Sequence, residues 1–360
     1  MKVVTVLGTR PEIIKLSPLI PKLDKQTKHI LVHTGQHYNF EMDAIFFEEL
    51  QIREPDYVLK IGSLPAADQL AQMMLRITKI LNDENPEIVI VLGDTNSTLA
   101  GALCASKCGI KLIHIEAGCR SGNRKEPEEI NRILTDHCSD VLLAMDKESY
   151  NNLRLEGIAD SKIFTIGDIV TEACLHHKNF VSNSHILERL NLQSGKYVLV
   201  TIHRAENTNH REVLSGLVDL LNELSKTILL VFPIHPRTKK LAKEYGLSFS
   251  ENVYVIDAVG YVDFLQLLVN ARFLMTDSGG LQRETCILNV PCLVLRNETE
   301  YNELVELGKL ILVGKNREKI LSAAKEFAMN DQKINDIKSI PYLINTEVSD
   351  KIVTLLKKGG

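Results

Sequence analysis

The sequence predicts an α/β fold in two domains, each built on a parallel sheet, and three observations lead there. Short β-branched apolar runs alternate with amphipathic stretches almost from end to end, the pattern of βαβ units. The rhythm breaks once, at the polar segments Ser182-Asn183-Ser184 and Gln193-Ser194-Gly195, and then restarts. A length of 360 residues suits two domains of roughly 100–200 residues each. The expected domains are 1–170 and 171–360, and the last amphipathic run, Val348–Lys358, can pack on either, crossing back to the first.

In chain order, the strands expected in the first half are Val3–Leu7, His29–Val32, Ile88–Leu92, Leu112–Ile115, Val141–Leu143 and Ile163–Ile166. The second set runs Tyr197–Ile202, Ile228–Phe232, Val253–Ile256, Phe273–Met275, Cys292–Leu295 and Leu310–Val313, with helices in the gaps. Several strands end in small or polar residues that open the next helix: Gly8-Thr9, Gly93-Asp94 and Asp277-Ser278-Gly279-Gly280. In open α/β sheets ligands bind at the carboxyl ends of strands, so chemistry is expected at these turns.

Composition narrows the class. With 44% hydrophobic and 24% charged residues the chain can bury two cores, which excludes disorder. A formal charge of -4 speaks against a nucleic-acid partner and for a small molecule. The opening Met1-Lys2-Val3-Val4 lacks the order of a signal peptide, and no stretch approaches a membrane span, so a cytoplasmic location without a membrane partner is expected. Seven cysteines, mostly inside apolar segments, read as reduced thiols. Cys104 and Cys108 stand four apart on an expected helix without a matching pair nearby, so helix packing is expected rather than a metal site.

The first strand leads into Gly8-Thr9-Arg10-Pro11-Glu12, with Lys15 a turn further on. Gly8 permits close backbone approach, Pro11 suits a first helical turn, and helix N–H groups with Arg10 and Lys15 favour an anion. A plain strand-to-helix turn with solvated charges is the alternative. This is not a GxGxxG fingerprint, so no nicotinamide, flavin or other cofactor is expected. At the second Gly-rich turn, Ser278 can cap a helix, and Gly279 and Gly280 leave a diphosphate room to reach backbone N–H groups. Glu284 is placed to bind ribose hydroxyls.

Asp94 and Glu116 each follow an expected strand, so they should converge on one edge of the first sheet, where paired carboxylates can divide acid and base roles. Glu128 and Glu129 follow Pro127 at a helix start, and one of the two is expected only to favour the helix N-terminus. His203 and His235 end neighbouring strands of the second domain, where they can donate to a phosphate or move a proton. Neither has a Cys or carboxylate at metal-ligand spacing, so no metal is expected.

Taken together, GTRPEIIKLSP (8–18), HTGQHY (33–38), GDTNSTLAG (93–101), HIEAG (114–118), PEEINRILTDH (127–137), HRAEN (203–207), HP (235–236) and TDSGGLQRE (276–284) resemble the non-hydrolysing UDP-N-acetylglucosamine 2-epimerases. The resemblance covers nearly the whole chain. It implies a GT-B type α/β fold, two Rossmann-like domains with parallel sheets facing a central cleft, and a homodimer. It also implies interconversion of UDP-GlcNAc and UDP-ManNAc by elimination of UDP and re-addition through a 2-acetamidoglycal, supplying precursors of cell-surface polysaccharide.

By the same resemblance Asp94, Glu116 and Glu128 match the catalytic carboxylates, and His203 matches the histidine near the diphosphate. Arg10 and Lys15 match diphosphate contacts, Ser278, Gly279, Gly280 and Glu284 the diphosphate and ribose site, and Phe264 the uracil side; His235 joins this UDP-sugar set. Three features differ from the usual pattern, Ala205 after the His-Arg pair, Gly167-Asp168 in place of Gly-Asn and Tyr301 after Thr299-Glu300, and they stand together with Leu281 and the run Glu303-Leu304-Val305-Glu306. They resemble relatives acting on UDP-2,3-diacetamido-glucuronic acid, which stays open as the substrate, with a GT-B glycosyltransferase as a more distant alternative.

Overall fold

Strands buried on both faces read as continuous apolar runs, and that is how this chain is written. Val3, Val4, Val6 and Leu7, then Val89–Val91, then Tyr197–Val200 are all fully enclosed. The computed structural model describes residues 1–36, 46–299, 301–342 and 347–358. His37 and Tyr38 of the second motif, and Glu300 before Tyr301, lie outside the described residues.

The chain divides into two units, Met1–Ala173 with Asn345–Gly360, and Cys174–Ile344. The first holds β1 (Lys2–Leu7), β2 (Lys28–His33), β3 (Tyr57–Val58), β4 (Ile88–Leu92), β5 (Lys111–Ala117), β6 (Val141–Ala144) and β7 (Ile163–Thr165). The second holds β8 (Tyr197–Thr201), β9 (Leu229–Ile234), β10 (Val253–Asp257), β11 (Phe273–Thr276), β12 (Cys292–Val294) and β13 (Leu310–Leu312). Every pairing is parallel, in the orders β3-β2-β1-β4-β5-β6-β7 and β10-β9-β8-β11-β12-β13.

Each sheet starts in its middle, winds outward, returns to the start and winds the other way. This is the doubly wound Rossmann order, whose ligand position is the switch point where the winding reverses. The switch points fall between β1 and β4 and between β8 and β11. Helices cover the sheets with apolar faces: Met73, Ile77 and Leu81 of Ala66–Glu84 meet Val4, Val6, Val89 and Val91. In the second unit Leu220, Leu221 and Leu224 of Arg211–Leu224 meet Val198, Val200 and Phe232.

All twelve expected strands form. The unexpected one is β3, two half-buried residues on the sheet edge, too short for any periodicity to mark it. It is held by register with Val32 and His33, and Asp56 Oδ2 accepts from the Leu31 amide at 2.7 Å. The C-terminal helix Val348–Lys357 packs on the first unit: the Ser349 amide donates to Glu172 Oε2 at 2.6 Å, and Lys22 Nζ pairs with Asp350 at 2.9 Å. None of the seven cysteines is joined in a disulfide.

The reason for Gly8 differs from the expected one. A Cβ there would lie 2.0 Å from Thr34 Oγ1 and 2.1 Å from Ser97 Oγ, so the close approach is made by the protein's own side chains at the ends of β2 and β4. Thr34 and Ser97 are fully buried and hydrogen-bonded to each other at 2.7 Å, so neither can retreat without leaving a polar group unmet. Gly8→Ala is therefore expected to destabilise the protein by about 3 kcal/mol, read as a lowered urea midpoint.

Candidate functional site

At the first switch point the anion at the helix start is already supplied by the chain. Glu12, 2% exposed, turns back so that Oε2 accepts from the Gly8 amide (2.9 Å), the Thr9 amide (2.8 Å) and Thr9 Oγ1 (2.9 Å). Its Oε1 accepts from Thr95 Oγ1 at 2.9 Å and Thr98 Oγ1 at 3.1 Å, which ties the turn after β1 to the turn after β4. Burial pushes the Glu12 carboxyl up, against these hydrogen bonds. The two committed amides, those of Gly8 and Thr9, lie just before the helix Arg10–Leu16, and the cationic side chains beside them are Arg10 and Lys15. Arg10 is half-buried with its guanidinium 5.1 Å from the Phe46 ring centroid, and Lys15 Nζ lies 2.8 Å from Glu116 Oε2.

Glu116 sits inside β5, where pairing with β6 shifts register between Ile115 and Ala117, and its φ of 69° is left-handed. A non-glycine residue in that region carries strain, and a bulge re-aims a side chain. Lys15 takes Oε2, while buried Oε1 has no hydrogen-bond partner among the described residues. Gly93, at the end of the neighbouring strand β4, stands over this carboxylate: a Cβ there would be 3.4 Å from Oε2. Asp94 follows, half-buried, and its Oδ2 accepts from Arg132 Nε at 3.0 Å and Nη2 at 2.6 Å. Asn131 fixes the Asp94 carbonyl at 2.9 Å.

The helix Pro127–Cys138 separates the two adjacent glutamates. Glu129 is buried and holds the loop amides of Ser121 (2.9 Å) and Gly122 (3.0 Å) together with Arg132 (2.7 Å). Burial acts to raise its carboxyl, but these donors outweigh it and hold the group below the usual range. Glu128 is exposed in the first turn. The structural role thus falls to Glu129, and Arg132 links it to Asp94. Behind β5, His114 lies between Asp136 (Nδ1 to Oδ1, 2.6 Å) and the Gly93 carbonyl (Nε2 to O, 2.8 Å), all fully buried.

In the second unit Asp277, fully buried, organises the switch point between β8 and β11. Its carboxylate accepts from the amides of His203 (3.1 Å) and Arg204 (3.0 Å) and from Asn207 Nδ2 (2.9 Å). His203 keeps its ring partly exposed, 3.5 Å from Asp277 and 5.9 Å, centroid to centroid, from the exposed ring of His235. The two histidines are brought together as expected. His235 Nδ1 accepts from the Arg237 amide at 3.2 Å, which caps the helix Pro236–Glu244.

Ser278 occupies the N-cap position of Gly279–Leu288, but its hydroxyl makes no capping hydrogen bond, a correction to the expected cap. Its amide instead donates to Thr276 Oγ1 at 2.9 Å. Gly280 is exposed and a Cβ there would meet nothing within 4 Å, so this turn is open. Glu284 is half-buried and accepts from the Tyr261 phenol, which also bonds Cys174; burial, then the Glu284 charge, raises that phenol well above its usual value. Phe264 lies half-buried on the same helix as Tyr261, Tyr261–Asn270.

In the sequence Glu12, His114, Arg132, Asp136 and Asp277 stand inside the motifs with no work assigned to them, and Tyr261 stands outside every motif. A signal existed for Arg132, three residues after Glu129 on one helix face. One departure also finds its reason: Asp168 opens the helix Ile169–Lys178, accepting from the Val170 amide with Oδ1 (2.9 Å) and from Thr171 Oγ1 with Oδ2 (3.0 Å), where an Asn offers a single acceptor oxygen. Among the described residues no group of three or more His, Cys, Asp or Glu is disposed to hold a metal ion, and no helix is long and apolar enough to cross a membrane.

Two doubly wound parallel sheets, each with polar side chains gathered at its switch point, define a GT-B type α/β protein. Comparison with known proteins narrows this class. The sequence model described as UDP-N-acetylglucosamine 2-epimerase matches residues 21–357, and the chain belongs to that family. It is 47% identical over 93% of its length to the UDP-N-acetylglucosamine 2-epimerase of Methanococcus maripaludis, covering 94% of that protein. It is 41% identical, over 90% of this chain and 92% of the relative, to the UDP-2,3-diacetamido-2,3-dideoxy-D-glucuronate 2-epimerase of Pseudomonas aeruginosa. Among solved structures, the Methanocaldococcus jannaschii UDP-GlcNAc 2-epimerase in complex with UDP-GlcNAc and UDP matches with a TM-score of 0.87 and 43% identity, covering 100% of both chains.

Glu12 gives a pH dependence of definite sign. A carboxyl raised in the native state binds its proton more tightly there than in the unfolded chain, so it lowers stability as pH rises from its ordinary 4.5 through the native value. Glu12→Gln keeps an acceptor for the two amides and lacks this loss. Its urea midpoint is expected to match the unsubstituted protein at about pH 4 and to exceed it at about pH 8.

Proposed function

We propose that this protein is a non-hydrolysing UDP-GlcNAc 2-epimerase in which the strand-end carboxylates of the first unit act at carbon 2 of the sugar. The family and the close relative from Methanococcus maripaludis support the reaction. The observation that carries the assignment of residues is Glu116: a strained, left-handed side chain with one oxygen on Lys15 and the other unpartnered among the described residues. Asp94 is its neighbour at the end of β4, where its Oδ2 accepts twice from the Arg132 guanidinium.

In this reading a carboxylate removes the carbon 2 proton while the bond from carbon 1 to the UDP oxygen breaks. The 2-acetamidoglycal and UDP remain bound. Protonation of carbon 2 from the opposite face by a second carboxyl group, with return of the UDP oxygen to carbon 1, gives the epimer. Atoms balance without an oxidant, and two carboxylates of different surroundings suit opposite faces. Asp94, Glu116 and Glu128 are the carboxylates assigned to these steps. Arg10, Lys15 and His203 stabilise the departing diphosphate, and His235, Ser278, Gly279, Gly280, Glu284 and Phe264 bind the rest of UDP. The working form is read as a cytoplasmic homodimer feeding cell-surface polysaccharide synthesis.

A second substrate reading, UDP-2,3-diacetamido-glucuronic acid, is favoured by Tyr301, whose ring lies 5.3 Å below the Arg283 guanidinium, and by the Pseudomonas aeruginosa relative. Incubation with each UDP-sugar in deuterated water, without added cofactor, is expected to place deuterium at carbon 2 of the true substrate and to yield its epimer still joined to UDP. Asp94→Asn and Glu116→Gln should each slow this exchange by about a thousandfold. No exchange with either sugar would overturn the proposal, and glycosyl transfer that survives both substitutions would establish a glycosyltransferase instead.

A further inference from the structure

His114 is enclosed in the first unit with an acceptor at each ring nitrogen. A carbonyl oxygen only accepts, so Nε2, 2.8 Å from the Gly93 oxygen, carries a hydrogen. Nδ1 lies 2.6 Å from Asp136 Oδ1. The other Asp136 oxygen accepts from the Gly118 amide at 3.1 Å and meets Arg120 Nη2 at 2.7 Å. A carboxylate so supplied with donors is ionised, and its facing oxygen then requires a hydrogen on Nδ1 as well.

We infer that His114 is an imidazolium held by Asp136, and that this buried pair is the positioning device that fixes the turns carrying Asp94 and Glu116. The Gly93 carbonyl belongs to the peptide that joins Gly93 to Asp94, so the ring sets the plane from which Asp94 departs. Gly118, with a φ of 82°, follows two residues after the left-handed Glu116, and its amide is anchored by the same carboxylate. One ion pair therefore spans the ends of β4 and β5.

The charges around the pair are consistent with it. Asp136 and His137 approach from the helix Pro127–Cys138, Arg120 from the segment after β5, and Glu156 from the end of the helix Lys147–Leu155. Arg120 binds Glu156 with Nε at 2.7 Å and Nη2 at 2.8 Å, and the exposed His137 ring lies 3.3 Å from Glu156. Two cations, His114 and Arg120, thus balance two anions, Asp136 and Glu156. Burial works to raise the Asp136 carboxyl and is outweighed first by His114 and then by Arg120. A buried ion pair is a weak source of net stability, and holding one geometry is its better-attested use.

The positioning role rests on the proposed carboxylate chemistry, so the test has two arms. In nitrogen-15 NMR of the whole protein, with the ring assigned through its own backbone correlations, both His114 nitrogens are expected as N–H at neutral pH. One bare ring nitrogen at neutral pH overturns the imidazolium. In kinetics, His114→Gln is expected to lower kcat for carbon 2 exchange about a hundredfold with KM held within about twofold, the signature of misplaced catalytic groups. The double variant His114→Gln, Asp136→Asn restores a neutral hydrogen-bonded pair and should recover about tenfold of that loss. An unchanged kcat in His114→Gln overturns the positioning role. Should that variant fail to fold, Asp136→Asn supplies the same kcat-against-KM reading. Absence of exchange in the unsubstituted protein sinks the proposed reaction, while the ring spectrum still decides the imidazolium.

Discussion

Parallel strands that end at a switch point leave backbone amides facing inward, and this chain meets them with buried carboxylates. Glu12 joins the turns after β1 and β4, Asp136 joins the turn after β4 to Gly118, Glu129 holds Ser121 and Gly122, and Asp277 holds the segment after β8. Each is at most 2% exposed, and each accepts from backbone amides or side-chain donors of the turns it joins. The half-buried and exposed polar groups of the proposed site, Asp94, Glu116, His203 and Ser278, stand on backbone that these four carboxylates fix. Rigid support of this kind is what acid and base groups need if they are to meet a carbon atom from opposite faces.

The central strands were legible because they are buried on both faces and written in apolar, often β-branched residues, a signal local to a few positions. β3 was not, since two residues carry no period and its place comes from register with β2. Asp94, Glu116 and the Ser278 turn were visible as strand-end residues before helices. What sequence could not show was pairing across distance. Asp277 meets His203 seventy-four positions away, and Lys15 meets Glu116 over an interval of one hundred and one. The part played by Glu12 was hidden for the same reason: it lies only three residues from Thr9, yet its other oxygen is held by Thr95 and Thr98 of a distant turn.

Glycine shows how one residue type serves different ends at the two switch points. Gly8 is pressed against Thr34 and Ser97, so its missing side chain serves packing. Gly280 faces open space, and a missing side chain there leaves the start of Gly279–Leu288 accessible. The sequence reading gave both the same purpose, and only the surroundings separate a turn closed by the protein from one that stays open.

The helix Val348–Lys357 belongs with the first unit although the whole second unit lies before it in the chain. On the ribosome, therefore, Lys22 and Glu172 emerge long before Asp350 and Ser349, the partners that complete their contacts. The second unit, continuous in sequence, can finish folding while the first still lacks its last helix. The first unit then gains its last contacts, those of Lys22 and Glu172, after the second unit has been made.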